Sequence, residues 1–381
     1  MRSAHCRWLL TAALLVACGP SVRPSDGAGA ESAGAGAEDA RPGPGNAEAP
    51  PLLEVVAQLD QGPGNLTVQP DGRVVMSLHQ FYGHDDRVVT LDDGGKLRPF
   101  AGPAGLDSVL GLQADSRGTV WLLDNAMRGG GKRRLVGWNE DTQSVVADID
   151  LSAVTPDDAF VNDLVIDLDH GAAYIADPAG GANAAIVVVD LTSGAARRVL
   201  EGHGSVVAED LDLVIDGNPV RIRQADGSEI RPRIGVNPIA ADAANEWLYF
   251  GPMHGSAMYR VKTSDLRDPQ LSADALGSRV ERYSDKPICD GISIDAEGNI
   301  YLGDLARNAI GVIRADRSYS VLLADPRLSW VDAFSAGPDG YLYLVVNQLH
   351  RTAVLNGGTP ASQPPYLVAR FKPFAPGTTG R

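Results

Sequence analysis

A hairpin recurs six times along this sequence, and no other feature narrows the choice of fold as far. Each copy has a short apolar strand, a turn rich in Asp, Gly or Asn, and a second strand rich in aromatic and β-branched residues. The turns and second strands run Pro70-Asp71-Gly72-Arg73 into VVMSLH, Asp115-Ser116-Arg117-Gly118 into TVWLLD, and Asp169-His170-Gly171 into AAYIAD. The later three are Ala244-Asn245-Glu246 into WLYFGP, Ala296-Glu297-Gly298-Asn299 into IYLGD, and Gly337-Pro338-Asp339-Gly340 into YLYLVVN. Third strands follow in several copies, such as RVVTLDD from Arg87 and AIVVVDL from Ala185, and fourth strands such as VVADIDL and SVLLAD. Four antiparallel strands recurring every roughly 40 to 75 residues describe propeller blades, with insertions accounting for the spread. A sandwich or a parallel β-helix would not repeat one hairpin six times between long, variable loops. The fold class is therefore all-β, a six-bladed β-propeller. Leu53–Ala57 and Leu367–Phe371 are the expected closing strands, which would pair the two ends of the ring and hide its edge. The stretch 204–233 reads as a hairpin insertion between the third and fourth blades, placed to cover one mouth of the channel.

The domain is expected over 52–374, followed by a flexible tail at 375–381. Ahead of it, Arg2 and Arg7 precede an apolar run from Trp8 to Ala17, about ten residues and too short to span a bilayer. Residues 1–17 read as a signal peptide, and Leu15-Val16-Ala17-Cys18 as a lipobox that leaves Cys18 as the lipidated first residue. Gly19 carries no inner-membrane retention signal, so the expected location is the outer membrane or cell surface, with secretion as the alternative. Residues 18–51 are nearly all Gly, Ala, Pro, Ser, Glu and Asp, which cannot bury enough apolar surface to offset ordering, and read as a disordered tether.

The formal charge of −15 excludes nucleic acid as a natural partner. A small-molecule ligand is expected instead, with the membrane contacted only through the Cys18 lipid, and the protein is expected to be a monomer. The three cysteines are Cys6, Cys18 and Cys289, so the processed domain has one thiol and no internal disulfide. Between Ile288 and Ile292, Cys289 reads as a small buried residue.

In a propeller the first strand of each blade lines the central channel. Polar residues at the starts of those strands are Asn65, Ser108, Asn162 with Asp163, Asn237, Asp290 and Asp332. Carboxylates and amides converging there need partners, which a cation, ordered water or a polar ligand would supply. A second ring is expected where the second strands end: His79 with Gln80, Asp124 with Asn125, Asp177, His254, Asp304, and Asn347 with Gln348. His203 and His350 are further loop candidates. No Cys/His spacing suits zinc, no Gly-rich strand-to-helix loop suits a nucleotide, and no Ser occupies a nucleophile elbow.

Several segments resemble the major royal jelly/Yellow family: Phe160–Asp167 (FVNDLVID), Gly235–Ala240 (GVNPIA), Trp247–Pro252 (WLYFGP), Met258–Val261, Cys289–Asp295 (CDGISID) and Gly298–Tyr301. The resemblance implies a secreted six-bladed propeller, binding of biogenic amines, and a link to dopachrome conversion by an isomerase. It also implies domain disulfides, which this chain cannot form. More distantly the chain is similar to calcium-dependent lactonases of the gluconolactonase/senescence-marker-protein family. That likeness implies a divalent cation such as calcium held by a Glu of the first blade with an Asn and an Asp of later blades. Asn162 or Asn237 matches the Asn and Asp290 the Asp, but the first blade reads Gln61-Gly62-Pro63-Gly64-Asn65 and has no Glu. Losing one carboxylate weakens such a site. Three function classes follow: a small-ligand-binding envelope protein, a metal-dependent lactonase, and a surface scaffold. No catalytic residue is assigned.

Overall fold

The structure, a computed structural model, describes residues 51–381. The signal peptide, Cys18 and nearly all of the tether lie outside the described residues. Six four-stranded antiparallel sheets form the blades of a propeller. The inner strands are Pro63–Val68, Val109–Ala114, Leu164–Asp167, Val236–Ala241, Ile292–Ile294 and Val331–Ala336, in blades 1 to 6. Their turns are fixed by the aspartates of the repeat. In blade 2, Asp115 accepts backbone N–H bonds from Arg117 (2.8 Å) and Thr119 (3.1 Å) and the indole N–H of Trp121 (2.9 Å). In blade 5, Asp295 accepts from Glu297, Asn299 and the Tyr301 hydroxyl in the same way.

Blade 6 closes the ring. Its outermost strand, Glu54–Leu59, comes from the N-terminal side of the domain and pairs with Tyr366–Phe371. This is the closure expected from Leu53–Ala57 and Leu367–Phe371. Every inner strand is buried along its length, so each blade packs both faces against its neighbours. Six apolar clusters fill the six seams between blades; Val75 with Leu122, Ile166 with Leu123, and Tyr174 with Phe250 are examples. Burial of such side chains is the main stabilising term, about 25 cal/mol per Å² of apolar surface. Where inner strands crowd together, side chains are absent: a Cβ on Gly111 would collide with the Asn162 carbonyl, and one on Gly291 with the Asp332 carbonyl.

Both faces of the ring are closed by added chain. On the upper face, the stretch 204–233 carries two small hairpins, Val214–Ile215 with Asn218–Pro219 and Ile222–Arg223 with Glu229–Ile230. Their Leu213, Ile215, Val220 and Ile222 pack with Met253, Leu305, Trp330 and Leu349 from loops of blades 4 to 6, forming an apolar cap. On the lower face the residues after 375 are not the flexible tail that composition suggests. Gly377 bridges Asp295 and Thr379 bridges Ala336. The Gly380 carbonyl accepts from Thr67 Oγ1 (2.8 Å), Gly380 N donates to the Ala336 carbonyl (2.9 Å), and Arg381 Nη2 donates to the Ile166 carbonyl (2.7 Å). Unpaired carbonyls and hydroxyls at the lower ends of the inner strands need donors and acceptors, and this segment supplies them.

Candidate functional site

In each blade the start of the inner strand lies opposite the end of the second strand, as Pro63 opposite Leu78, Val109 opposite Asp124 and Val331 opposite Val346. Both rings of polar residues therefore belong to the upper face. Only the first converges. Four inner strands carry one extra residue near their upper ends, between Pro63 and Leu66, Val109 and Leu112, Val236 and Ile239, and Val331 and Ala333. Such bulges bend a strand and re-aim its side chains. Asn65, Asn237 and Asp332 occupy three of them.

The result is a continuous set of amide–carboxylate contacts around the channel. Asn65 Nδ2 donates to Asp163 Oδ1 (2.9 Å). Asn162 Nδ2 donates to Asn237 Oδ1, and Asn237 Nδ2 in turn to Asp290 Oδ1. Trp330, which is 1% exposed, donates its indole N–H to Asp290 Oδ2 (2.7 Å). Asn347 Nδ2 donates to Asp332 Oδ2 and to the Pro63 carbonyl (3.0 Å), joining blade 6 to blade 1. Tyr82 crosses the same junction, its hydroxyl donating to the Asn347 carbonyl.

Asp163, Asp290 and Asp332 are 9%, 4% and 8% exposed. No Lys, Arg or His stands within ion-pair distance of any of them among the described residues. Burial lifts Asp290 to about 7. Burial also lifts Asp163 well above the usual carboxylate range, with the Asp290 charge adding to it. Asp332 is raised likewise by burial and then by Asp290 and Asp163. Asp163 and Asp332 thus sense the charge of Asp290, and all three acids hold their protons more tightly than free carboxylic acids do. Below them a cavity of about 50 Å³, lined by Asn65, Asp163, Gln113, Ser293 and Phe334, runs down to Gly380 and Arg381. It has room for an ammonium group or a water or two.

The second ring does structural work. Asp177 accepts from Phe160 N (2.8 Å) and Ala179 N (3.1 Å) and pairs with Arg198. Asp124 does the same for Asp107 N, Ser108 N and Arg134. Asp304 holds Arg307 (2.8 Å) and the Tyr319 hydroxyl (2.7 Å). His79 caps a short 3₁₀ turn by accepting from Phe81 N, and burial lowers it to about 3. His254 accepts from Ile234 N (3.3 Å), is also lowered to about 3 by burial, and leaves Nε2 buried without a partner. Gln348 clasps Gln363, His203 bonds Ser205, and His350 stacks on Trp330. Of this ring, Asn347 alone joins the channel contacts.

Sequence reading missed Trp330 and Tyr82. It also missed Lys286, whose buried ammonium donates to the carbonyls of Met253, Gly255 and Pro287. Cys289 is fully buried beside it, as expected. A single Trp preceding an inner strand carries no pattern that marks its partner.

For a calcium ion the donor set of Asn162, Asn237 and Asp290 fits poorly. The three are bonded directly to one another, and Asp290, their only carboxylate, has each oxygen held by a donor. Calcium needs six to eight free oxygens. Among the described residues no group of three or more His, Cys, Asp or Glu could hold a metal ion.

No curated protein matches this sequence. Solved structures share the fold at low identity. A luciferin-regenerating enzyme is 13% identical with a TM-score of 0.56, covering 87% of this chain and 98% of its own. A gluconolactonase from Xanthomonas campestris is 13% identical with a TM-score of 0.53, covering 88% and 99%. Regucalcin from Agrobacterium tumefaciens, described as a calcium-binding protein, is 16% identical with a TM-score of 0.52, covering 87% and 98%. Residues 107–357 match the family described as Major royal jelly protein, a span holding five of the six inner strands whole and most of the channel contacts. By that match the chain belongs to the major royal jelly protein family.

Proposed function

We propose that this protein binds a small organic cation, an amine, at the upper end of its channel, and that it does so at the cell envelope, held there by a lipid on Cys18. The observation that carries the binding reading is the group of three buried carboxylates at the upper end of the channel, Asp163 in the cavity lining with Asp290 and Asp332 near it, with amides for neighbours and no cationic side chain within ion-pair distance. Like charges held together out of water are unfavourable, and a protonated amine offsets them while donating hydrogen bonds. The apolar cap above the site suits the carbon frame of such a ligand. A calcium-dependent lactonase is the weaker reading, because the residues at its ligand positions already satisfy one another.

Calorimetric titration with tyramine, dopamine and calcium chloride tests this at about pH 8, above the value of about 7 at which Asp290 ionises. Either amine should bind one to one. Asp163→Asn keeps the oxygen that accepts from Asn65 and removes one charge, and it should weaken the amine at least tenfold, the equivalent of about 1.4 kcal/mol. Saturable calcium binding with no amine binding would reject the reading.

A further inference from the structure

At the upper rim between blades 1 and 2, hydrogen-bonding atoms are left over. Gln80, Ser108, Asn125 and Arg128 together hold five buried side-chain atoms without a partner: both ends of the Gln80 amide, Ser108 Oγ, Asn125 Nδ2 and Arg128 Nε. Ser108 and Asn125 are each 1% exposed. The other buried polar atoms without a partner are single atoms on residues scattered through the domain, such as His254 Nε2 and Trp138 Nε1, so this concentration calls for a cause.

The same residues are drawn to one corner by the backbone. Asn125 N donates to the Ser108 carbonyl (2.9 Å), and Arg128 N donates to Asp107 Oδ2 (2.9 Å), next in sequence to Ser108. Arg128 Nη1 donates to the His84 carbonyl, while His84 Nε2 accepts from Gly62 N (3.1 Å) and the Gly62 carbonyl accepts from His79 N (3.1 Å). His79 feels the Arg128 charge directly. Because its Nδ1 accepts from Phe81 N, the neutral ring carries its proton on Nε2 and is a further donor.

Arg128 lies close enough to Arg87 to be disfavoured by it, with Asp107 and Asp85 acting the other way from further off; neither guanidinium has a carboxylate within ion-pair distance among the described residues. The one side-chain bond of Arg128 uses Nη1. Its Nε–Nη2 edge, the side that grips a carboxylate or phosphate with two parallel bonds, is free. Donors therefore outnumber acceptors, and the group that complements them is a small oxyanion.

We propose that Arg128, with Asn125, Ser108 and His79, forms an oxyanion-binding site at this rim, separate from the carboxylates of the channel and taking a carboxylate or phosphate group through the Nε–Nη2 edge of Arg128.

Titration of the protein with sodium acetate and with sodium phosphate, at ionic strength held constant with chloride and followed by thermal midpoint and calorimetry, tests the site. At least one of the two anions should raise the midpoint saturably, and which one does so identifies the group. Arg128→Gln should weaken that anion at least tenfold. Asn125→Asp keeps the oxygen that accepts from Met127 N and replaces the free donor by a negative charge, so it should abolish anion binding even if Arg128→Gln folds poorly. Asp163→Asn should leave it unchanged, which separates this site from the amine site. No saturable response to either anion, or an equal response in wild type and Asn125→Asp, overturns the proposal.

Discussion

Asp290 has a different charge in the folded protein from that in the unfolded chain at the same pH. Its folded value is about 7 against 3.8 for the free side chain, and Asp163 and Asp332 are raised in the same direction. Between those values the folded state holds protons that the unfolded state has released. The stabilising contribution of the Asp290 proton is complete below about 3.8 and is lost as pH rises through about 7. The thermal midpoint of the ligand-free protein should therefore fall between about pH 5 and pH 8, and Asp163→Asn should flatten that fall in a calorimetric scan. A midpoint that rises over the same range would mean that the three acids are ionised and well paired. These acids were legible in the sequence as strand-start residues of six repeats. Their partners were not: Trp330 reaches Asp290 across 40 positions, and Asn65 reaches Asp163 across 98. Such contacts depend on ring geometry that a repeat implies but does not dimension.

At the scale of the strand, the six hairpins and the closing pair could be read from alternating apolar and turn residues, because that pattern is local. The bulges could not, since one extra residue in an inner strand leaves the composition unchanged. They shape part of the site. Asn65, Asn237 and Asp332 sit in bulges and join the channel contacts, whereas Asp124 and Asp177, at the ends of second strands, bond the backbone of their own blade. Gly291 tests this geometry. A methyl group there meets the Asp332 carbonyl, so Gly291→Ala should destabilise the fold by about 1–3 kcal/mol, measured by urea unfolding. A change under about 0.5 kcal/mol would show that the neighbouring strand yields freely. The segment after 375 was misread because Gly, Thr and Pro are the residues of flexible tails as well as of tight turns. Its hydrogen bonds come from the lower ends of blades 1, 3 and 6. Deleting 377–381 should expose those ends and lower stability by about 1–3 kcal/mol.

For the whole molecule, the cap packs over one face and the lower segment over the other, and the channel between them holds a small cavity with Asp163 in its lining. No helix among the described residues is long and apolar enough to cross a membrane. Under the proposal of a lipid anchor, Cys18→Ser should move the protein from the membrane fraction to the soluble fraction, since one lipidated residue would be its hold on the envelope. Equal partition of both forms would remove the anchor. The channel itself is tested most directly by counting protons. An amine that ionises Asp290, poised near pH 7, must displace a proton as it binds, whereas an amine bound elsewhere displaces none. Titration of tyramine at about pH 7, repeated in two buffers of different ionisation enthalpy, reads that number. A net release of protons, lost in Asp290→Asn, is the predicted result; tyramine binding with no proton release would contradict a cation site beside Asp290.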